Sequence, residues 1–278
     1  MFIFNTEIST LTKKQTLEKI QEFLTDGKQR YIVTPNPEFL LEAERDQEFA
    51  SILNHADLAV PDGFGLVCAG LAMGKIIHKF PGVELVELML DQLIINNEKL
   101  IMKIGIINWE DGLSNAEEIQ KFLTNRYSKL EFMVIDIPRE FSPLLLQGAC
   151  LAGRQGVGGG GFNPDILFVA LGSPWQEKWI YHNLKNLPSV KIAMGVGGSF
   201  DFITQKIKRA PKIFRVLGLE WIWRLIKQPW RRKRIFNAAI VFPFKFVWWW
   251  MKWLVRTHHP TLPTGQAGSS PTFGSGRR

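Results

Sequence analysis

Cysteine is scarce in this chain: Cys68 and Cys150 are the only two among 278 residues. Two thiols cannot build a disulfide framework, and a reducing, cytosolic setting fits them. Histidine is scarce as well. His55, His78, His182, His258 and His259 show no zinc-ligand spacing with either cysteine, so no protein-built metal site is expected. No G-x-S-x-G elbow is present, which removes the serine-hydrolase reading. The first ten residues, MFIFNTEIST, lack the basic start and long apolar core of a secretory signal. Acidic residues are in the minority, 26 against 34 Lys and Arg, for a net charge of +8. That balance suits a polyanionic partner: nucleic acid, nucleotide or anionic lipid.

Apolar material is plentiful, at 46% of residues, ample for one large core. Short β-rich runs recur at Tyr31 to Val33, Leu58 to Val60, Ile101 to Ile107, Phe132 to Ile135, Ile166 to Leu171 and Ile192 to Val196. Helical periodicity fills residues 11–25, 37–54, 83–96, 112–127 and 174–186. Strands alternating with helices predict an α/β fold: a Rossmann-like, mostly parallel sheet with helices on both faces. Ligands in such folds sit beyond the carboxyl ends of the strands. That rule singles out the loops at 34–39, 61–65, 172–177 and 197–201, where polar residues and glycine concentrate.

The C-terminal part changes character. From Lys206 to Arg234 there are eleven Lys or Arg and one acid, Glu220. Seven of the ten tryptophans follow between Trp221 and Trp253, around the run IFNAAIVFPFKFVWWWMKWLV. Cations beside indole rings suit a bilayer interface, where they meet lipid phosphates and headgroups. The apolar run is long enough to span a bilayer. Pro243, Lys245 and Lys252 interrupt it, which favours a helix lying on the membrane over one that spans it. The ordinary alternatives are a core helix with a basic outer face, or a single-strand nucleic-acid grip. No recognised nucleic-acid motif accompanies the cluster, and no nucleic-acid partner is expected. The expected organisation is an α/β catalytic domain over 1–205 and a basic, aromatic helical appendage over 206–256. A disordered tail follows at 257–278. Residues 148–161, rich in glycine, read as an inserted flexible loop.

Several short motifs carry chemistry. In VPDGFGLV, Asp62 stands on a turn between Pro61 and two glycines; it is a helix cap or a general base. In VTPNPEFL, Thr34 and Asn36 follow a strand and suit sugar hydroxyls or amides, while Asn36 could equally cap the next helix. LGSPWQEKWI places Gly172, Ser173, Gln176 and Glu177 at a strand-to-helix junction on the sheet's carboxyl edge, where Gly172, Ser173 and Glu177 are candidates to line the substrate site, with Ser173 and Gln176 also spaced as a capping box. GVGGSFDF follows a strand; Gly197 and Gly198 would let backbone N–H groups approach a phosphate at a helix start. The letters G-x-G-x-x-G at Gly156, Gly158 and Gly161 precede a strand instead of following one, so that match is accidental.

The blocks TPNPEFLLEAERDQEFASILNHADLAVPDGFGLV, LFVALGSPWQEKWI, GVGGSFDF, KRAPKIFRVLGLEWIWRL and QPWRRKR stand in this order along residues 5 to 240. Together they resemble the WecG/TagA/CpsF-type bacterial glycosyltransferases. The resemblance implies transfer of N-acetylmannosamine or a related sugar from a UDP donor to undecaprenyl-diphosphate-linked N-acetylglucosamine, for teichoic acid or related surface polysaccharide. It implies an inverting, metal-independent reaction without a cofactor, at the cytoplasmic face of the membrane. Asp62 would be the base. Thr34, Asn36 and Gln176 would bind the sugar, and Gly198, Phe200 and Asp201 would line the nucleotide side. VIDIPRE holds only Asp136 and no Asp-x-Asp metal motif, so fixed cations would have to neutralise the departing diphosphate. Arg209, Arg224, Arg231 and Arg234 are the candidates, although some would meet lipid headgroups instead. Lys79 in KFPGVEL stands where the family usually carries arginine, keeping the charge without the bidentate geometry. A homo-oligomer is compatible with the sequence. A decayed, membrane-peripheral scaffold is the competing class, opposed by the intact blocks around Asp62, Gln176 and Asp201.

Overall fold

The computed structural model describes residues 1–96, 101–139, 163–211, 213–214, 218–227 and 232–258. The loop at 148–161 and the tail from residue 259 on lie outside the described residues, as does Arg231.

Six parallel strands form the central sheet: β3 (Arg30–Val33), β4 (Leu58–Ala59), β5 (Lys103–Trp109), β6 (Glu131–Ile137), β7 (Ile166–Val169) and β8 (Ile192–Gly195). Their spatial order is β4-β3-β8-β7-β5-β6. All six expected runs are strands of this sheet. One register row crosses it through Leu58, Ile32, Met194, Phe168, Ile106 and Val134. Every member of that row faces one core layer. The neighbouring residues Ala59, Val33, Val169, Ile107 and Ile135 face the other. Strand periodicity of two, apolar at both phases, is what a sheet covered on both faces requires.

Helices α1 (Lys13–Thr25), α5 (Gly82–Asn96) and α6 (Ala116–Arg126) cover the first face. On the second lie α2 (Pro37–Ala43), α3 (Gln47–Asn54), α4 (Phe64–Ala72) and α7 (Trp175–Asn183). Residues 37–54, expected as one helix, are two. The Asp46 side chain accepts from Phe49 N–H and starts α3 afresh, because a local cap satisfies donors that a helix start leaves open. Helix α6 starts four residues later than its periodicity suggests, at a capping box of Asn115 and Glu118.

A small hairpin, β1 (Phe2–Ile3) with β2 (Thr6–Glu7), precedes α1. Two-residue strands leave no periodic signal, and this one was not expected. Its Phe4 packs edge-on against Phe242 at 5.8 Å and Trp249 at 5.5 Å.

The C-terminal region contributes α8 (Ser199–Ile203), α9 (Glu220–Lys227), α10 (Arg232–Phe236) and α11 (Phe242–His258). A π-turn, Asn237–Val241, joins α10 to α11. It ends two residues before Pro243, whose ring and missing N–H disfavour a regular α-turn there. Helix α11 is no loose attachment. Phe242 and Phe246, 1% and 5% exposed, belong to the same core layer as α2, α3 and α4. Its opposite side leaves Phe244, Trp248, Met251 and Val255 in the open, at spacings that share one helical face.

Candidate active site

Four loops leave the carboxyl ends of β3, β4, β7 and β8, which are contiguous in the sheet as β4-β3-β8-β7. They are the four loops singled out above, and the fold gathers them along one edge.

Asp62 is held by its backbone from both sides. Val60 N–H bonds to Val33 O at 2.8 Å, Asp62 N–H to Pro35 O at 2.8 Å, and Phe80 N–H to Pro61 O at 2.9 Å. Gly63 then turns the chain with φ +107°, a conformation that glycine adopts readily. Helix α4 starts after Gly63 and has no side-chain cap. The Asp62 carboxylate reaches across to another helix start. Its Oδ2 faces the N–H of Gly82, the first residue of α5, at 3.5 Å, an approach that suits a carboxylate. A β-carbon on Gly82 would lie 3.8 Å from Thr34 Oγ1 and 3.7 Å from Ser199 Oγ. Gly82 is thus the meeting point of the β3, β4 and β8 loops. Neither Gly82 nor Ser199 was singled out in the sequence; both lack a motif of their own.

Asp62 lines a cavity of about 550 Å³. Asn36, Glu38 and Lys79 share its polar side, and Glu220, Trp221 and Arg234 close it from the C-terminal region. Beyond them the wall turns apolar, through Phe64 and Ala72 of α4 and through Ile235, Phe242 and Val247. Arg234 is the candidate arginine placed at this cavity. Arg209 is partly buried away from it, Arg224 lies on α9 with its side chain outside the described part, and Arg231 is likewise outside. Lys79 Nζ is 3.9 Å from Glu220 Oε2. Asn36 does cap α2: its Oδ1 accepts from Glu38 N–H at 2.9 Å and Phe39 N–H at 3.2 Å. The cap uses only the oxygen of the amide, and the NH2 group brings two donors to the cavity that Asn36 lines.

The LGSPWQEKWI junction corrects one expectation. Helix α7 begins at Trp175 behind Pro174, with no side-chain cap, so Ser173 and Gln176 form no capping box. Gln176 instead folds inward and is 3% exposed. Its Oε1 accepts from Gly172 N–H at 3.0 Å and Gly197 N–H at 2.9 Å. Its Nε2 donates to Glu177 Oε1 at 2.6 Å. Glu177, expected to line the substrate site, is completely buried. Burial pushes its carboxyl up to about 7; the Gln176 amide, its own N–H, the Ser173 hydroxyl and the Arg234 charge act in the opposite direction. Glu177 Oε2 is buried without a hydrogen-bond partner among the described residues.

The GVGGSFDF turn is also more internal than its letters suggest. The Gly197 N–H, expected to approach a phosphate, is taken by Gln176. Phe200 is 2% exposed and packs on Phe168 at 6.1 Å, so it supports the loop from beneath instead of presenting a face to a nucleotide. Gly198 and Asp201 remain partly accessible at the start of α8.

Comparison with known proteins meets this geometry. The sequence profile of the glycosyl transferase WecG/TagA/CpsF family matches residues 1–256. A relative from Staphylococcus aureus (strain MRSA252), an N-acetylglucosaminyldiphosphoundecaprenol N-acetyl-beta-D-mannosaminyltransferase, is 31% identical over 246 residues. That match covers 87% of this chain and 90% of the relative. The protein of the same description from strain MW2 is 30% identical with the same coverage.

Proposed function

The chain belongs to the WecG/TagA/CpsF family of glycosyl transferases, and from that premise we propose that it moves N-acetylmannosamine from a UDP donor to a polyprenyl-diphosphate-linked N-acetylglucosamine. One observation carries the reading: Asp62 lines one cavity together with polar residues of the sheet-edge loops and with apolar residues of α4, α10 and α11. A lipid-linked sugar joins a polar head to an apolar chain, and the cavity's lining offers partners to both.

In this reading the acceptor hydroxyl comes up to Asp62, which takes its proton as the oxygen attacks the anomeric carbon. The new glycosidic bond forms as the bond to the UDP oxygen breaks, on the opposite face of the sugar, with inversion. UDP leaves with the bonding electrons. Arg234 and Lys79 are the cations at the cavity for the diphosphate charge, and no metal or cofactor is assigned to that task. Thr34 and the Asn36 amide face the sugar. The exposed stripe Phe244, Trp248, Met251 and Val255 rests on the cytoplasmic leaflet, with exposed basic residues such as Arg232 and Lys233 against its phosphates.

UDP release from UDP-N-acetylmannosamine by the full-length protein tests this. Acceptor-dependent release that Asp62→Asn abolishes supports the transferase and its base. Release that survives the substitution leaves the enzyme and removes Asp62 from the chemistry. Absence of release with this donor, but release with another UDP-sugar, changes the sugar alone.

A further inference from the structure

Gln176 has an amide whose two ends differ in chemistry but hardly in shape. Its oxygen must face Gly172 and Gly197, because both offer N–H donors. On its other side Glu177 Oε1 lies 2.6 Å from Nε2 and accepts from it. A rotated amide would set NH2 against two N–H groups and oxygen against oxygen. Beyond the last ladder bond, Val196 N–H to Val169 O at 2.9 Å, this amide bridges the loops that leave β7 and β8. There is no slack around it. A β-carbon on Gly195 would fall 2.6 Å from Gln176 Nε2 and 2.7 Å from Glu177 Oε1.

We propose that Glu177 is a positioning residue for the transfer: it orients the Gln176 amide, and that amide sets the spacing of the Gly172 and Gly197 loops on which the sugar nucleotide is held. Glu177 touches no substrate atom. The proposal rests on the transferase reading for what the loops hold, and on the hydrogen bonds alone for how they are held. It also gives a role to a completely buried carboxyl that the chemistry at Asp62 does not use. The Glu177 Oε1 accepts from Nε2 on one side while the Gly172 and Gly197 N–H groups hold the amide oxygen on the other, which fixes the amide in one orientation.

The experiment uses the full-length protein with Glu177→Gln, Glu177→Leu, Gln176→Ala and the Gln176→Ala/Glu177→Leu double variant. Glutamine keeps an acceptor oxygen, whereas leucine keeps most of the volume and removes it. Hydrogen exchange at the Gly172 and Gly197 amides is read in the free protein, and donor KM and kcat are read with acceptor present. Glu177→Leu is expected to speed exchange at both glycines about tenfold and to raise donor KM about fivefold. Glu177→Gln is expected to restore both to within about twofold. On the Gln176→Ala background the leucine change is expected to add nothing further, since the residue acts through that amide. Wild-type exchange at both glycines in Glu177→Leu would overturn the proposal, whatever happens to the thermal midpoint. So would full additivity of the two changes. Exchange needs no turnover, so a wild-type protein that transfers no sugar defeats the transferase reading and leaves the latch itself to be judged by the glycine amides.

Discussion

Arg234 reaches back from α10 to the first turn of α2, where its Nη2 lies 2.9 Å from Glu38 Oε2 and its Nε 3.0 Å from the same oxygen. Both side chains line the cavity that holds Asp62. Lys245 and Glu44 repeat the arrangement further along, at 2.7 Å. The Arg234 side chain is 49% exposed, and pairs of that exposure contribute about 1 kcal/mol or less to stability. The consequence is therefore positional. Under the proposed function, the Arg234 fork rests in the cavity lining against a carboxylate whose place an incoming diphosphate would take.

Removing that fork separates positioning from stability. Arg234→Ala should lower kcat/KM for UDP-sugar by roughly 10- to 100-fold, the range expected when one charge-assisted hydrogen bond to the transition state is removed. Arg234→Lys should recover part of this, because charge returns without the fork. Thermal midpoints of both should stay near wild type. A steady-state titration with donor, beside a melting curve, checks the pair of expectations; a large drop in midpoint with unchanged kinetics would assign Arg234 to the fold.

Asp62→Asn should reduce kcat by roughly 100-fold or more, since a general base contributes about 10²–10⁴. The asparagine oxygen can still face Gly82 N–H, and the backbone bonds to Pro35 and from Phe80 do not involve the side chain. Donor KM should change little, and the fold should survive. Single-turnover measurement of UDP release separates this loss of chemistry from a loss of binding.

Glu177 makes stability depend on pH in an unusual direction. Its carboxyl is pushed by burial from 4.5 up to about 7. Below 4.5 the folded and unfolded chains both hold the proton. Between the two values only the folded chain holds it, so stability falls as pH rises; above 7 the fold must carry a buried charge. The total cost is roughly 3 kcal/mol. Tyr31 on β3, pushed up by burial and then by the Glu177 charge, stays neutral throughout this range, and Arg234 on α10 relieves some of the cost. Glu177→Gln never ionises. Its melting temperature should exceed wild type by roughly 5 °C at pH 8.5, and the gap should close toward pH 5. Asp46 and Glu48, held down chiefly by hydrogen bonds to Lys178, lose their stabilising contribution in acid alike in both proteins. A gap that widens toward acid would contradict the burial of a neutral carboxyl.

The sheet was legible because its strands are apolar at both phases, as Ile32 and Val33 show by facing opposite layers. The edge that bears the site followed from strand order along the chain and the position of polar loops. What could not be read was direction. Gln176 and Glu177 look like exposed first-turn polar residues, and only the absent β-carbon of Gly195 makes room for them inside. Phe200 likewise sits beside glycines in a loop-like stretch and turns into the core. The C-terminal helix was read as an attachment by its charge and tryptophans. Its alternate face, Phe242 and Phe246, packs on a core layer that includes Phe4, Phe39 and Leu66, far earlier in the chain, and no local pattern reports so distant a partner.

That double-sided helix gives the last expectation. The face holding Phe244, Trp248 and Met251 is exposed by 76%, 60% and 48%, so polar replacements there cost the fold little. Phe244→Ser with Trp248→Ser should leave the melting temperature within a degree or two and weaken binding to vesicles containing anionic lipid by roughly tenfold or more. Transfer to a lipid-linked acceptor should fall with it, while a short-chain, water-soluble acceptor should be used as before. The inner face behaves in the opposite way. Phe242→Ala removes a ring that touches Phe4 and Phe246 and should cost about 3–5 kcal/mol, with vesicle affinity of the folded fraction unchanged. A truncation at residue 231 deletes both faces at once and cannot tell them apart, which is why paired point substitutions, read by flotation and by melting, are the measurement that does.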